Sequence, residues 1–169
     1  KEVYDPLTLV KAMPHVISKI PDVKFVLCGD GPLRKECISY VTKNKMMDSV
    51  EFPGYVSNDV LSILTGKALV MVSPSLSDGV PVSLLEGLAC GCALVTSDIP
   101  ANHFWTIKNK TGLMFEAGNS KHLGETLVNV LNDETILKNV LKEGPKLVLK
   151  NADWESEFSK VERKYYDLI

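Results

Sequence analysis

The stretch ALVMVSPSLSDGVPVSLLEGLACGCALVTSD, residues 68–98, opens and closes on short apolar runs rich in β-branched residues and holds one short helical pattern between them. ALVMVSP (68–74) and ALVTSD (93–98) read as strands buried on both faces. Leu84 to Cys90 makes about two turns of helix and stops at Gly91. Continuously apolar strands joined through a single helix cannot be hairpin partners, so the two lie parallel, and helices must cover both faces of their sheet.

The same alternation runs outward in both directions. Upstream, Leu9, Val10, Met13, Val16, Ile17 and Ile20 recur at three- and four-residue steps, which predicts a helix over 6–20 with Pro6 in its first turn. VKFVLCG (23–29) is a strand, 33–45 a helix, SVEFPG (49–54) a second strand and 59–64 a short helix. Downstream, a polar loop leads to an apolar run at 113–115. Helices follow over 120–131, over 134–149 with a bend at Gly144-Pro145, and over 154–168. The expected fold is α/β: a doubly wound, mostly parallel sheet flanked by helices, with a helical C-terminal end.

Composition narrows the function classes. The 169 residues, 45% of them apolar, suit one domain with a substantial core. Nineteen Lys and Arg against 21 Asp and Glu give a net charge of -2, which offers no general attraction to nucleic acid or to an anionic membrane. Cys28, Cys37, Cys90 and Cys92 lack CxxC spacing and read as reduced thiols packed as small hydrophobes, which favours the cytoplasm. No run of eighteen apolar residues and no signal-peptide pattern occurs. The opening KEVYDPLTL, without a Met, reads as the start of a fragment.

In open parallel sheets, ligands bind beyond the carboxyl ends of the strands. That edge comprises Gly29-Asp30-Gly31-Pro32, Gly54-Tyr55-Val56, residues 73–82 and residues 96–105, and within it stand two acids, Asp78 and Glu86. One reading is structural. Ser83 and Glu86 have the spacing of a capping box, and Asp78-Gly79 is ordinary turn chemistry. The other reading is functional: a helix start offers unpaired N–H groups and a positive dipole end to a phosphate, and acids on either side accept hydrogen bonds from hydroxyls. A nucleotide sugar has that layout. Pro81 has no N–H, so Val82 and Ser83 would supply the amides. On the residues alone both readings stand.

Other chemistries find no support. Gly29-Asp30-Gly31-Pro32 is neither a dinucleotide fingerprint nor a Walker loop. His15, His103 and His122 lack metal-ligand spacing, no Asp-x-Asp pair is available to hold a divalent cation, and no G-x-S-x-G elbow occurs. Trp154 reads as a packing anchor for the last helix.

Taken together, FVLCGDGPLRKE, VEFPGYVSNDVL, LVMVSPSLSDGVPVSLLEGLACGCALVTSDI, KTGLMF, Asn119 and DWESEFSKVERKYYDL resemble the C-terminal half of retaining glycosyltransferases of the GT-B fold, often called family four or group one. The resemblance implies one Rossmann-like nucleotide-sugar-binding domain over 1–169, with the acceptor domain in an N-terminal half outside this sequence. It implies that Glu86 binds the donor ribose and that Asp78 contacts the transferred sugar, the two serving as the catalytic pair. Val82 and Ser83, with Gly79, would face the diphosphate, and Gly54, Tyr55 and Val56 would hold the base. Gly29 and Gly31 line the donor site, and Lys1 offers a charge to the diphosphate. This sequence departs from the pattern at Asp78, usually Glu, at Pro81, often Gly, at Phe104, often Glu, and at Tyr4, where a gapless alignment puts the family's diphosphate-binding Lys. The reading is the donor half of a metal-independent hexosyltransferase using a nucleotide diphosphate sugar, with no cofactor. A glycan or lipid-linked glycan acceptor, and any membrane association, would be handled by the N-terminal half. A sugar-nucleotide epimerase of similar fold and a non-catalytic α/β interaction module are the alternatives.

Overall fold

A computed structural model describes residues 3–79 and 81–166; Lys1, expected beside a diphosphate, lies outside the described residues. The chain alternates as expected. Helix α1 (Pro6–Lys19) leads to strand β1 (Phe25–Cys28), α2 (Arg34–Lys43) to β2 (Val50–Gly54), α3 (Asn58–Lys67) to β3 (Val70–Ser73), and α4 (Val82–Ala89) to β4 (Ala93–Ser97). A short α5 (Pro100–His103) precedes β5 (Gly112–Phe115), and α6 (Ser120–Asn132), α7 (Glu134–Asn151) and α8 (Trp154–Tyr166) follow.

Local chemistry explains most boundaries. Asp5 caps α1 by accepting from the Thr8 amide and hydroxyl, Ser57 caps α3 at Val60, and Asn119 caps α6 at His122. Asp133 caps α7 by accepting from Thr135 and Ile136. The 134–151 segment continues as one helix through Pro145. Gly144 matters there for room: a Cβ would stand 2.8 Å from the Leu88 carbonyl, so α7 lies hard against α4.

Every strand pair is parallel. Val70 to Ser73 of β3 register with Ala93 to Thr96 of β4, and Leu94 to Ser97 of β4 register with Gly112 to Phe115 of β5. All five residues of β4 are buried, so both faces of this strand are covered, as a continuously apolar run requires. Helix α6 packs on β4 and β5, α4 on β3 and β4, and α1 on α6 and α2. The core includes Val10, Met13, Leu84, Leu88, Leu94 and Leu127, each at most 1% exposed.

Four local expectations change. Residues 100–103, read as loop, form α5, begun by Pro100 at its first position. The capping box is absent: α4 starts at Val82 with Pro81 as its cap residue, Ser83 falls inside the first turn, and neither Ser83 nor Glu86 bonds a described residue through its side chain. Cys37 and Cys92 are buried as expected, whereas Cys28 and Cys90 are exposed. Trp154 anchors nothing among the described residues; it is 76% exposed and stacks only on Phe158, with ring centroids 5.5 Å apart. No described helix is long and apolar enough to cross a membrane.

Candidate nucleotide-sugar site

The described residues singled out in the sequence follow the carboxyl ends of β1, β2 and β3. At the end of β1, Gly29 has φ 98° and its N–H donates to the Gly54 carbonyl at 2.7 Å, which joins the first two loops of the edge. Gly54 itself has φ 75°, a left-handed turn that glycine adopts without strain and that swings the following loop outward. Tyr55 is thereby 82% exposed, beside half-buried Val56. Asp30 folds its carboxylate onto the Gly31 amide at 2.7 Å.

Past β3 the chain makes the same gesture, and Asp78 Oδ1 accepts from the Gly79 amide at 2.7 Å. The turn reading of Asp78-Gly79 is therefore correct as geometry, and it leaves the second carboxylate oxygen without a described partner. Helix α4 follows. Its Leu84 amide bonds the Pro81 carbonyl at 2.9 Å, while the amides of Val82 and Ser83 have no partner among the described residues. Glu86 lies one turn further on, exposed, with its carboxylate unengaged by described residues. A helix start whose first two amides no described residue engages thus stands between two acids.

What holds α4 in place is visible at Gly87, where a Cβ would meet Met71 Cβ of β3 at 2.9 Å. The missing side chain lets the helix settle onto the strand and fixes the height of its N-terminal end above the sheet edge.

A buried polar network, missed in the sequence, positions the loop before it. Ser97 Oγ donates to the Ser75 carbonyl and lies 3.3 Å from the Ser73 carbonyl, Ser73 Oγ and Ser75 Oγ are 3.3 Å apart, and Asn102 Nδ2 donates to the Ser97 carbonyl at 2.9 Å. Asn102 Oδ1 is buried without a described partner. These bonds tie the ends of β3 and β4 to α5. The sequence signal was faint: small hydroxyls at strand ends and one Asn inside an apparent loop. Arg34 was also missed; its Nη2 donates to the Phe52 carbonyl at 3.1 Å. His103 Nε2 and Asp98 Oδ1 form an exposed pair at 2.6 Å on the same edge.

A cavity of about 650 Å³ opens beside Gly29 and Gly31, walled by Val3, Tyr4, Leu27 and Leu33 among others. It reaches neither Asp78 nor Glu86 and marks the space next to β1. Among the described residues no group of three His, Cys, Asp or Glu stands ready to hold a metal ion. Burial raises the thiol of Cys28, at the end of β1, above its ordinary range, so this exposed thiol carries no sign of activation.

Comparison with known proteins agrees with this architecture. The model of the family described as glycosyl transferases group 1 matches residues 1–147. An uncharacterised glycosyltransferase from Methanocaldococcus jannaschii is 29% identical over 160 residues, which are 94% of this chain and 45% of that protein. The UDP-Gal:alpha-D-GlcNAc-diphosphoundecaprenol alpha-1,3-galactosyltransferase of Escherichia coli is 26% identical over 168 residues, 98% of this chain and 43% of that one. The chain thus spans less than half the length of these relatives. Among solved structures, TarM from S. aureus, as a mutant in complex with fondaparinux, alpha-GlcNAc-glycerol and UDP, superposes with a TM-score of 0.87 at 18% identity, over 96% of this chain and 33% of that one. HepE from Anabaena, solved with UDP and glucose, superposes with a TM-score of 0.86 at 14% identity, over 99% and 46%. At those identities the superpositions speak to fold alone. With 147 of its residues matched by the family model, the chain belongs to the group 1 glycosyltransferases.

Proposed function

We propose that this chain is the donor-nucleotide domain of a retaining, metal-independent hexosyltransferase whose acceptor site lies in an N-terminal half. The observation that carries the reading is the start of α4: open amides at Val82 and Ser83, with Asp78 before them and Glu86 one turn beyond, at the carboxyl edge of a parallel sheet. The amides receive the diphosphate, Glu86 accepts from the ribose hydroxyls, and Asp78 accepts from the sugar through its unengaged oxygen. Tyr55 and Val56 flank the base. Stabilising the leaving diphosphate is the main catalytic contribution of such a domain. The E. coli relative is named for a UDP-sugar donor and a diphosphoundecaprenol-linked acceptor, and UDP accompanies TarM and HepE in their structures, which makes UDP the first ligand to try and a lipid-linked glycan the first acceptor. Such chemistry belongs at the cytoplasmic side of a membrane.

The test is calorimetry with UDP and its sugar conjugates. Glu86→Ala should weaken UDP binding by the worth of charge-assisted hydrogen bonds, about 1.5–3 kcal/mol, or roughly ten to over a hundredfold. Because Glu86 makes no cap, the variant's stability should stay within about 0.5 kcal/mol of the parent. Chelator should leave binding unchanged. Unaltered UDP affinity in Glu86→Ala would remove the ribose contact and with it the assignment of the site.

A further inference from the structure

Asp98 and His103 form an ordered polar pair at the carboxyl edge to which the reading above gives no role. Asp98 is the first residue past β4, exposed between buried Ser97 and Ile99, and its amide donates to the Phe115 carbonyl of β5 at 2.7 Å. Its backbone is therefore fixed. His103 closes α5, and the residue before it, fully buried Asn102, donates to the Ser97 carbonyl at 2.9 Å. With both anchors set, His103 Nε2 lies 2.6 Å from Asp98 Oδ1. The two side chains are 56% and 60% exposed, so the pair adds little stability. What it fixes is the imidazole. A carboxylate only accepts, so Nε2 carries the shared proton, and Nδ1 of the neutral ring is left as an acceptor with no partner among the described residues.

The pair stands beside the loop that carries Asp78. β4 lies between β3 and β5, and the chain leaving β3 is tied down over the end of β4, where Ser97 Oγ donates to the Ser75 carbonyl. One residue later, Leu76 Cδ2 comes within 3.9 Å of the place a Cβ on Gly118, past β5, would occupy. Asp98 is thus bracketed by this loop, two residues before Asp78. The direction of the donor agrees. In the reading above the base lies past β2 and the diphosphate at the start of α4, past β3, so a donor laid from the first to the second carries its sugar on toward the ends of β4 and β5.

We propose that His103 determines specificity for the transferred sugar, its Nδ1 accepting from one sugar hydroxyl, and that Asp98 is the positioning residue that turns Nδ1 toward it. Asp78, with its unengaged oxygen, and His103 then present two acceptors from neighbouring loops, and two acceptors on different hydroxyls distinguish hexoses that differ in the direction of a single one. The inference rests on the donor-site reading, and its test is separable from that one because UDP carries no hexose.

Calorimetry with UDP, UDP-glucose and UDP-galactose provides the test. Binding of UDP by the parent, and its loss in Glu86→Ala, report the donor site itself; the change in UDP-hexose affinity relative to UDP reports His103. His103→Ala should leave UDP affinity and melting temperature at the parent values and weaken the preferred UDP-hexose by roughly two- to twelvefold, the worth of one hydrogen bond. Asp98→Ala should do the same, and the double variant should lose no more than either alone. His103→Asn supplies the control. Its Oδ1 can stand where Nδ1 stood without help from Asp98, so it should restore the affinity in either background, which a merely structural role for the pair would not produce. In the parent, one monodeoxy UDP-hexose should bind as weakly as the intact one binds His103→Ala, and His103→Ala should not notice that deletion. Unchanged affinity of His103→Ala for both UDP-hexoses would overturn the proposal. So would equal losses for UDP and its conjugates, since the group touched would then be the nucleotide.

Discussion

Gly87→Ala probes the contact that sets the height of the candidate site. The added methyl would stand 2.9 Å from Met71 Cβ and 3.1 Å from Met71 Cγ, against 3.4 Å or more for ordinary contact, so helix and strand must part by about half an ångström. Helix propensity alone favours Ala by about 0.8–1.0 kcal/mol, and overpacking a buried position costs about 1–3 kcal/mol, so the net change is a loss of up to about 2 kcal/mol. A second glycine supplies the control. Gly66 lies inside α3 with nothing within 4 Å of its added Cβ, and Gly66→Ala should stabilise by about 0.4–1 kcal/mol. The gap between the two variants, about 1–3 kcal/mol, cancels propensity and reports the Met71 contact. It corresponds to melting temperatures roughly 2–12 °C apart for a chain of this size. Thermal melts give the stability, and UDP titrations give the site: moving α4 displaces the Val82 and Ser83 amides, so only Gly87→Ala should bind more weakly. Equal stabilisation by both would refute the packing of α4 on β3. Lost stability with intact UDP affinity would refute the placement of the diphosphate at the α4 start.

Asp78→Ala should weaken an intact UDP-sugar while leaving UDP almost untouched; equal losses for both in calorimetry would mean that Asp78 only shapes its turn. Ser97→Ala withdraws the donor shared by the Ser75 and Ser73 carbonyls, and denaturant titration should show a loss of about 1–3 kcal/mol. An unchanged midpoint would remove that network from the account of how the loop is held. Cys92 is fully buried with its thiol directed at the Thr65 and Ala68 carbonyls, and burial, with a smaller push from Cys90, raises its pKa from 9.0 to about 11. The folded state thus holds this proton more tightly than the unfolded chain, so the stabilisation is whole below pH 9 and is lost as pH rises toward 11. Denaturation midpoints measured across that window should fall less steeply for Cys92→Ala than for the parent, and identical slopes would contradict the assignment.

The parts of the fold legible in the sequence were those in which one segment carries its own pattern. ALVTS is apolar without alternation because β4 has neighbours on both sides and helices on both faces, and that condition writes itself into consecutive residues. Asn119 and Asp133 announce helix starts because a cap acts within three residues. Failures came where a local pattern competed with the path of the chain. Ser83 and Glu86 have capping-box spacing, yet Pro81, at φ -76°, already serves as the residue before the helix, so α4 begins two positions too early for the box. α5 is too short for any periodicity to show. In α8, Trp154, Phe158, Val161 and Tyr165 recur at four, three and four residues, the spacing of a helix face, yet each is at least 47% exposed and Trp154 is no packing anchor among the described residues. Periodicity states that a face exists; it does not name what covers it.

The candidate site divides along the same line. The groups proposed to meet the diphosphate and the two sugars lie within nine residues of one another, Asp78 to Glu86, and were readable as a motif. The forces that hold those groups come from far along the chain: Ser97 reaches back 22 residues to Ser75, and Leu76 reaches to Val3. The described side-chain hydrogen bond of Asp78 is to the adjacent Gly79, which fixes the local turn but cannot fix where that turn sits. Its position is therefore borrowed from the ends of β3 and β4 on one side and from the segment entering α1 on the other. A loop held in this way couples the Val3 segment to Asp78, the acid proposed to face the sugar, whereas the start of α4, proposed to receive the diphosphate, is held separately through Gly87. Disturbance at Val3 should accordingly be felt in sugar recognition before it is felt in nucleotide affinity.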